Sequence, residues 1–314
     1  MAEVGIVIVT HNSGPEIGPC LEAARRTGAD VLVIDNASDD DTRRNVARAG
    51  VRLIANERNL GFAAAANQGF AQLDCPYILL LNPDAIIRTG IGSLRDACAS
   101  DGVAAAGGML IGEDEKPQIG FMVRCIPSAR FLAFEALLLN RLWPRNPVNW
   151  HFRCLGLDYS KPMPVEQPAG AFLMIRRSAW ESLGGFDEAF YPVWFEDVDF
   201  CKRILDGGYG IQYVPSAVAK HTGGHAIRKL LLENRQLYWY GSVLKYSAKH
   251  FTSRQEKVVC LAMITGSFLR MVLGISLRRS FKPIAVYGKV VRLACRQLFA
   301  RRQRSAEVLS VPWV

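Results

Sequence analysis

The feature that most constrains this chain is the alternation, over its first hundred residues, of short apolar runs with stretches of helical length. Val4–Val9, Val31–Ile34, Val51–Ile54 and Tyr77–Leu81 are apolar and rich in β-branched residues. Strands with one wet face alternate polar and apolar residues, whereas near-continuous apolar runs mark strands covered on both faces, as in parallel sheets. Between them lie Pro15–Arg26, Asp40–Ala49 and Phe62–Leu73, each long enough for a crossover helix. Pro15 suits a first helical turn, and Asp39 or Asp40 an N-cap. Strand and helix alternating at this spacing predict βαβ units in an α/β, doubly wound, mostly parallel sheet. A chain of 314 residues accommodates that as one large domain, or as one domain with an appendage.

The rhythm changes after about residue 110. Residues 112–168 are rich in Pro, Trp, Asn and Arg and read as an irregular insertion or lid. Ala171–Arg176 reads as a strand. The SAWE pattern at Ser178 and Glu181 reads as a capping box opening a short helix that ends at Gly184-Gly185. A helix over 197–206 is closed by Gly207-Gly208, and Ile211–Val214 is a further strand. From Lys229 the pattern is helical. It contains an 18-residue apolar run, Val258–Ile275, interrupted by Arg270, and then a basic amphipathic stretch from Pro283 to Arg302. The expected division is a catalytic domain over 1–228, with 112–168 inserted, and a helical, basic C-terminal region over 229–314.

Charge separates the same two parts. The net charge is +9, but residues 1–269 hold 28 basic against 28 acidic side chains, whereas Arg270–Arg304 holds ten basic residues and no acid. Such asymmetry calls for an anionic partner at the tail, either phospholipid or nucleic acid. No nucleic-acid module accompanies it, and the neighbouring apolar residues favour lipid. At 18 residues in all and with Arg270 inside it, the segment is expected to lie on an anionic membrane rather than cross it. Eight scattered cysteines without CxxC, and an N-terminus with no secretory signal, point to reduced thiols in the cytosol.

The polar clusters that carry chemistry sit at strand ends, where open α/β sheets bind ligands. Thr10–Asn12 follow the first strand, Asp35–Asp40 the second, Glu57–Asn67 the third and Asn82–Asp84 the fourth. Taken singly each has an ordinary reading: Asp35 as a helix cap, Asn59-Leu60-Gly61 and Asn82-Pro83-Asp84 as turns. In succession they form the rim of a crevice. Neither GxGxxG nor GxxxxGK[ST] is present, so phosphates must be held otherwise, and a divalent metal on Asp84 would do it. Further on, Gly184–Phe200 packs five carboxylates into 17 residues, three of them, Glu196, Asp197 and Asp199, behind the aromatics Phe190, Tyr191, Trp194 and Phe195. Asp197 is the candidate general base for a sugar hydroxyl. His221, at the last strand and followed by Gly223 and Gly224, is a candidate to complete the metal shell with Asp84.

VIVTHN, VIDNASDD, NERNLGFAAAANQG, YILLLNPD, PAGAFLMIRRSAWESLGGFDEAF, FEDVDFCKRI and KHTGG occur in this order over residues 4–225. This series resembles glycosyltransferase family two, the inverting GT-A enzymes, and within it the rhamnosyltransferase-like branch. The resemblance implies a GT-A fold and transfer of a sugar, with L-rhamnose a candidate, from a dTDP- or UDP-linked donor to a glycan or lipid-linked saccharide in cell-surface polysaccharide synthesis. It implies that Thr10, Asn12, Asp35 and Asn36 hold the nucleoside, and that Asn59, Gly61 and Asn67 line the donor site. Asp84 and His221 would bind Mg2+ or Mn2+, beside Asn82. Asp197 would be the base, with Glu196 and Trp194 orienting the acceptor over Gly170 and Ala171. The enzyme would work at the cytoplasmic face of the cell membrane, peripherally bound and without nucleic acid. The rival reading is a GT-A-like glycan-binding protein that has lost catalysis. Three departures stand out: Asn82 replaces the first carboxylate of the usual Asp-x-Asp, His225 follows the paired glycines where many relatives carry serine, and the insertion at 112–168 matches no motif of the family.

Overall fold

The computed structural model describes residues 2–223, 231–278 and 281–299. Gly224, His225, Lys229, Leu230 and the tail arginines Arg279, Arg301, Arg302 and Arg304 lie outside the described residues. The chain divides into two compact units. The first comprises Met1–Ile126, Arg153–Glu188 and Glu196–Lys229, the second Pro127–Phe152, Ala189–Phe195 and Leu230–Val314.

The first unit is built on the expected βαβ rhythm. Strands β1 (Val4–Thr10), β2 (Asp30–Asp35), β3 (Arg52–Ala55) and β4 (Tyr77–Leu81) enclose helices α1 (Gly14–Arg25), α2 (Thr42–Arg48) and α3 (Phe62–Ala71). After β4 come β5 (Ala85–Thr89), α4 (Ile91–Ala99), β6 (Val103–Ile111) and the two-residue β7 (Val123–Arg124). Later in the chain lie β8 (Met163–Pro164), β9 (Gln167–Pro168), β10 (Phe172–Arg176), α8 (Arg177–Ser182), α9 (Glu196–Asp206) and β11 (Gly210–His221). Helices α5 (Ala129–Ala136), α6 (Leu139–Leu142) and α7 (Pro147–Phe152) fall between β7 and β8, in the second unit.

Among the described residues the main sheet has the order β3-β2-β1-β4-β10-β6-β11-β5, with β8 added on β11. β3, β2, β1 and β4 run parallel, as do β6 and β11, while β10 runs antiparallel between β4 and β6. The strand centres carry Ile6, Val7, Ile8, Leu32, Val33, Leu79 and Leu80, all buried, because helices cover both faces. α3 lies close on this sheet through Gly69, where a Cβ would fall 2.5 Å from Val7 Cγ1 and 3.2 Å from Ile34 Cγ1.

Three local expectations change. β11 does not end at Val214: its register shifts between Val214 and Val218, and it continues to His221, pairing with β5. The SAWE capping box does not form. α8 opens at Arg177 without a side-chain cap, Ser178 is exposed, and Glu181 pairs with Arg177 at 2.8 Å. Residues 112–168 are not uniformly irregular: 127–152 carry three helices, α5 capped by the Ser128 hydroxyl accepting from Phe131 N–H at 3.2 Å. Asp40 does support the start of α2, since its carboxylate accepts from the Thr42 N–H at 2.9 Å, although Asp41 occupies the cap position. The scattered cysteines include one pair in space, with Cys125 and Cys154 Sγ atoms 3.6 Å apart as thiols.

The second unit packs α5 with α10 (Leu232–His250), α11 (Ser253–Arg278) and α12 (Lys282–Phe299). Arg270 does not face outward from α11. Its guanidinium bonds the last carbonyls of α5, Ala136 O and, at 3.2 Å, Glu135 O, and lies within 6 Å of the Tyr240 and Tyr287 rings. What α11 does expose is an apolar stripe of Val258, Leu261, Phe268, Val272 and Ile275, at a spacing of three and four residues with a seven-residue step across Thr265. Among the described residues, one helical segment, Ser253–Ser276, is long and apolar enough to cross a membrane.

The close approach at Gly69 gives a direct test of the first unit. Gly69→Val is expected to cost about 1–3 kcal/mol through overpacking against Val7 and Ile34, measured by urea denaturation. A change below 0.5 kcal/mol would show that α3 does not sit this close to the sheet.

Candidate active site

The parallel strands end on one side of the sheet, and the antiparallel β10 begins there, so the candidate residues meet at one rim. At the β1–β2 end, Thr10 Oγ1 donates to Asp35 Oδ1 at 3.1 Å. The other oxygen, Oδ2, accepts from Ser38 N–H at 3.1 Å and Arg43 Nε at 2.6 Å. Asp35 is fully buried, and this set holds the DNASDD loop in shape. Asn12, at φ 55°, fastens the same loop from across the crevice: its N–H donates to Ser38 Oγ at 2.8 Å and its Oδ1 accepts from Asp39 N–H at 2.9 Å.

Asn36 ties this loop to the next. Its Nδ2 donates to Asn59 Oδ1 at 2.9 Å and Gly61 O at 3.1 Å, and its Oδ1 accepts from Leu60 N–H at 2.9 Å. Gly61, at φ 87°, then turns the chain into α3, a conformation that glycine adopts without a Cβ penalty. Asn67 points elsewhere. Both ends of its amide pair with the backbone of Phe186, at 2.8 Å each, and Nδ2 also meets Glu188 at 3.0 Å. In this structure it clamps the Gly184–Glu188 loop to α3.

The turn Asn82-Pro83-Asp84 joins β4 to β5. Asp84 and His221 are both nearly buried, and Asp84 Oδ1 lies 3.6 Å from His221 Nε2. The sheet register causes this, because His221 pairs with Ala85 across the antiparallel β11–β5 ladder. Sequence reasoning missed the residue that orients the ring. Gln118 donates from Nε2 to the His221 carbonyl at 2.8 Å, which turns its Oε1 to His221 Nδ1 at 3.0 Å. That arrangement places the proton on Nδ1 and turns Nε2 toward Asp84. Phe121 stacks on the imidazole at 5.2 Å between centroids and 12° between planes.

A separation of 3.6 Å is too long for a hydrogen bond. It suits two ligands of one ion, which at about 2.1 Å each lie no more than about 4.2 Å apart. One carboxylate and one imidazole, with the remaining positions left to phosphate and water, match Mg2+ or Mn2+ chemistry. Among the described residues no third His, Cys, Asp or Glu completes a protein-only metal cluster. Beneath the turn, burial first and the Asp84 charge second push the Cys20 thiol well up, so it stays neutral below Asn82 O.

The third group comes from β10 and α9. Asn82 N–H donates to Ala171 O at 3.0 Å, which sets Gly170 and Ala171 beside the Asn82–Asp84 turn. Asp197 Oδ2 accepts from Gly170 N–H at 3.1 Å and Gln167 Nε2 at 3.3 Å. Asp197 Oδ1 accepts from Val198 N–H at 2.8 Å. A Cβ at position 170 would lie 3.1 Å from Asp197 Cβ, so glycine there permits the approach. Glu196 is buried at the start of α9, while Asp199 is fully buried against Arg203 at 2.8 Å and serves the fold. Trp194 belongs to the second unit, in the left-handed region with φ 80°. Asp84, His221, Gly170, Ala171 and Asp197 are therefore joined by a continuous set of contacts, with Thr10, Asn12, Asp35 and Asn36 forming the frame at the neighbouring strand ends.

With this geometry in place, the chain can be compared with known proteins. The model of glycosyl transferase family 2 matches residues 5–181, and that of the N-terminal domain of galactosyltransferase matches residues 151–225. An N-acetylglucosaminyl-diphospho-decaprenol L-rhamnosyltransferase of Mycobacterium tuberculosis is 33% identical over 238 residues, covering 70% of this chain and 76% of that protein. Rhamnosyltransferase WbbL of Escherichia coli is 24% identical over 260 residues, 78% of this chain and 93% of that one. Among solved structures, the mannosyltransferase PcManGT of Pyrobaculum calidifontis, in complex with GDP-Man and Mn2+, superposes with a TM-score of 0.52 at 17% identity, covering 98% of this chain and 86% of the other. That likeness establishes a GT-A type of fold.

The frame makes a stability prediction. Asn36→Ala strands Leu60 N–H and removes the amide's bonds to Asn59 Oδ1 and Gly61 O, and is expected to cost about 1–3 kcal/mol in urea unfolding. A cost near zero would mean that the two rim loops are not held through this amide.

Proposed function

We propose that this chain, which belongs to glycosyl transferase family 2, moves a hexose, L-rhamnose being the favoured candidate, from a dTDP- or UDP-linked donor to a hydroxyl of a lipid-linked saccharide or glycan, with inversion. The observation that carries this is the Asp197 carboxylate, held by Gly170 N–H against the same turn that sets Asp84 opposite His221. The two rhamnosyltransferase relatives support the sugar and the mycobacterial one the lipid-diphosphate acceptor.

The proposed chemistry follows from those positions. Asp197 takes the proton of the acceptor hydroxyl. The oxygen forms its bond to the anomeric carbon from the face opposite the diphosphate, the bond from that carbon to the diphosphate oxygen breaks, and the configuration inverts in one displacement. Gly170 and Gln167 keep the carboxylate oriented while this happens. Asp84 and His221 would hold Mg2+ or Mn2+, which when bound neutralises charge on the departing diphosphate. The β1–β2 rim, with Thr10, Asn12, Asp35 and Asn36, would receive the nucleoside.

The same reading places the enzyme on the cytoplasmic face of a membrane. The exposed apolar stripe of α11 and the exposed Lys282, Lys289, Arg292 and Arg296 of α12 suit the interface of an anionic bilayer. Arg270, spent within the second unit, does not oppose that contact.

Two experiments test these readings. With a panel of nucleotide sugars and Mn2+, release of nucleoside diphosphate identifies the donor, and Asp197→Asn is expected to lower kcat with that donor at least 100-fold. Full turnover of Asp197→Asn would remove the base assignment. In vesicle sedimentation, the chain is expected to bind phosphatidylglycerol vesicles, to release them at high salt, and to lose binding when Phe268 and Val272 are both changed to Ser. Equal binding by that double variant would overturn the interfacial contact.

A further inference from the structure

Both oxygens of the Asp197 carboxylate are engaged by Gly170, Gln167 and Val198, and Arg124 stands beside it. Arg124 ends β7 and pairs in register with Gln167 of β9, whose side chain reaches Asp197 Oδ2. The carboxylate does not consume the guanidinium, since its bonds go to Gly170, Gln167 and Val198. Arg124 Nε is shut off from solvent and has no hydrogen-bond partner, and the same holds for Oε1 of the fully buried Gln167. The guanidinium carbon lies 5.6 Å from the centroid of Phe121, the ring that stacks on His221, so Arg124 stands between the Asp197 and Asp84–His221 groups. Arg153, which reaches Gly120 O at 3.3 Å, is close enough to act on it electrostatically.

Burial lowers the pKa of Arg124, the Asp197 charge opposes this, and Arg153 adds to the lowering. A guanidinium stays protonated regardless, so the direction of the shift means a cation short of compensating charge. An orphaned N–H on a desolvated cation, beside a second cation, is the setting that an oxyanion with several acceptor oxygens completes.

We infer that Arg124, with Arg153 alongside, is a binding site for a diphosphate group, and that its source is the acceptor. Both substrates proposed above can carry a diphosphate. The donor's departs on the face away from the base and falls to Asp84 and His221. A diphosphate on the acceptor sugar stays on the side of the hydroxyl that Asp197 deprotonates, which is where Arg124 stands. The choice of source rests on the proposed transfer reaction; the presence of an anion site does not.

Binding can be measured without turnover, which separates the two claims. Inorganic pyrophosphate is titrated calorimetrically into the full chain in EDTA, and then displaced with farnesyl diphosphate or with UDP and dTDP. Arg124→Gln is expected to weaken pyrophosphate 10- to 100-fold, the loss of a charge-assisted hydrogen bond, with Arg124→Lys intermediate. Arg153→Gln, tested in parallel, is expected to weaken it as well and covers the case in which Arg124→Gln does not fold. Displacement by farnesyl diphosphate but not by the nucleotides supports the acceptor as source, and the reverse assigns the site to the donor and overturns that choice. Wild-type affinity in both folded arginine variants would overturn the site itself.

Discussion

One hydrogen bond holds the candidate site together: Asn82 N–H to Ala171 O, at the edge where the antiparallel β10 is inserted beside β4. Asn82 leads into the turn that carries Asp84, and Ala171 follows Gly170, whose N–H holds Asp197. Because Phe172 pairs with Leu81 in a ladder of buried residues, this contact cannot slip by one position without turning every β10 side chain to the other face. The β11–β5 ladder does the same for the other half of the site, since pairing His221 with Ala85 places the imidazole opposite Asp84. The geometry of the catalytic candidates is thus a consequence of two strand registers rather than of loop conformation.

That origin explains which parts were legible from residues alone. β1, β2 and β4 announce themselves because burial on both faces leaves near-continuous apolar runs, and the polar residues at their ends then mark the crevice. Asp84, Asp197 and His221 were readable as residue types at strand or helix ends. Gln118, Phe121, Arg124 and Gln167 were not. They come from a stretch without periodicity, and what gives them meaning is contact with His221, some hundred residues away, or with Asp197. The error over Ser178 has a similar cause: the S-x-x-E spacing is local, but α8 starts where β10 delivers the chain, at Arg177. β11 was cut short because Pro215 and Ser216 look like a terminator, whereas in the sheet they occupy a register shift.

The second unit shows the same limit of local reading. Residues 127–152 carry no strong pattern by themselves, yet they supply α5, which packs on α11 and receives Arg270 at its last carbonyls. An arginine inside an apolar run reads from sequence as a charge facing lipid or a break in a span. Bonded to a helix C-terminus and flanked by Tyr240 and Tyr287, it is instead a structural cation, which leaves the outer face of α11 apolar and the charge on α12. Gly266 belongs to this arrangement, since a Cβ there would strike Ala136 O.

The division of hydrogen bonds across the first unit separates frame from working surface. Asp35, Asn36 and Asn67, and the Oδ1 of Asn59, are engaged by backbone and neighbouring side chains, so the strand-end loops are fixed before any ligand arrives. Such fixed dipoles pay no reorganisation at the moment of reaction, which is where electrostatic catalysis gains most. Arg124 Nε and Gln167 Oε1 are buried without partners on paired residues of one two-stranded ladder, and that ladder lies against Asp197. Unmet polar groups cost stability wherever they are buried, and of this pair it is the Arg124 N–H whose missing partner the anion inferred above would supply.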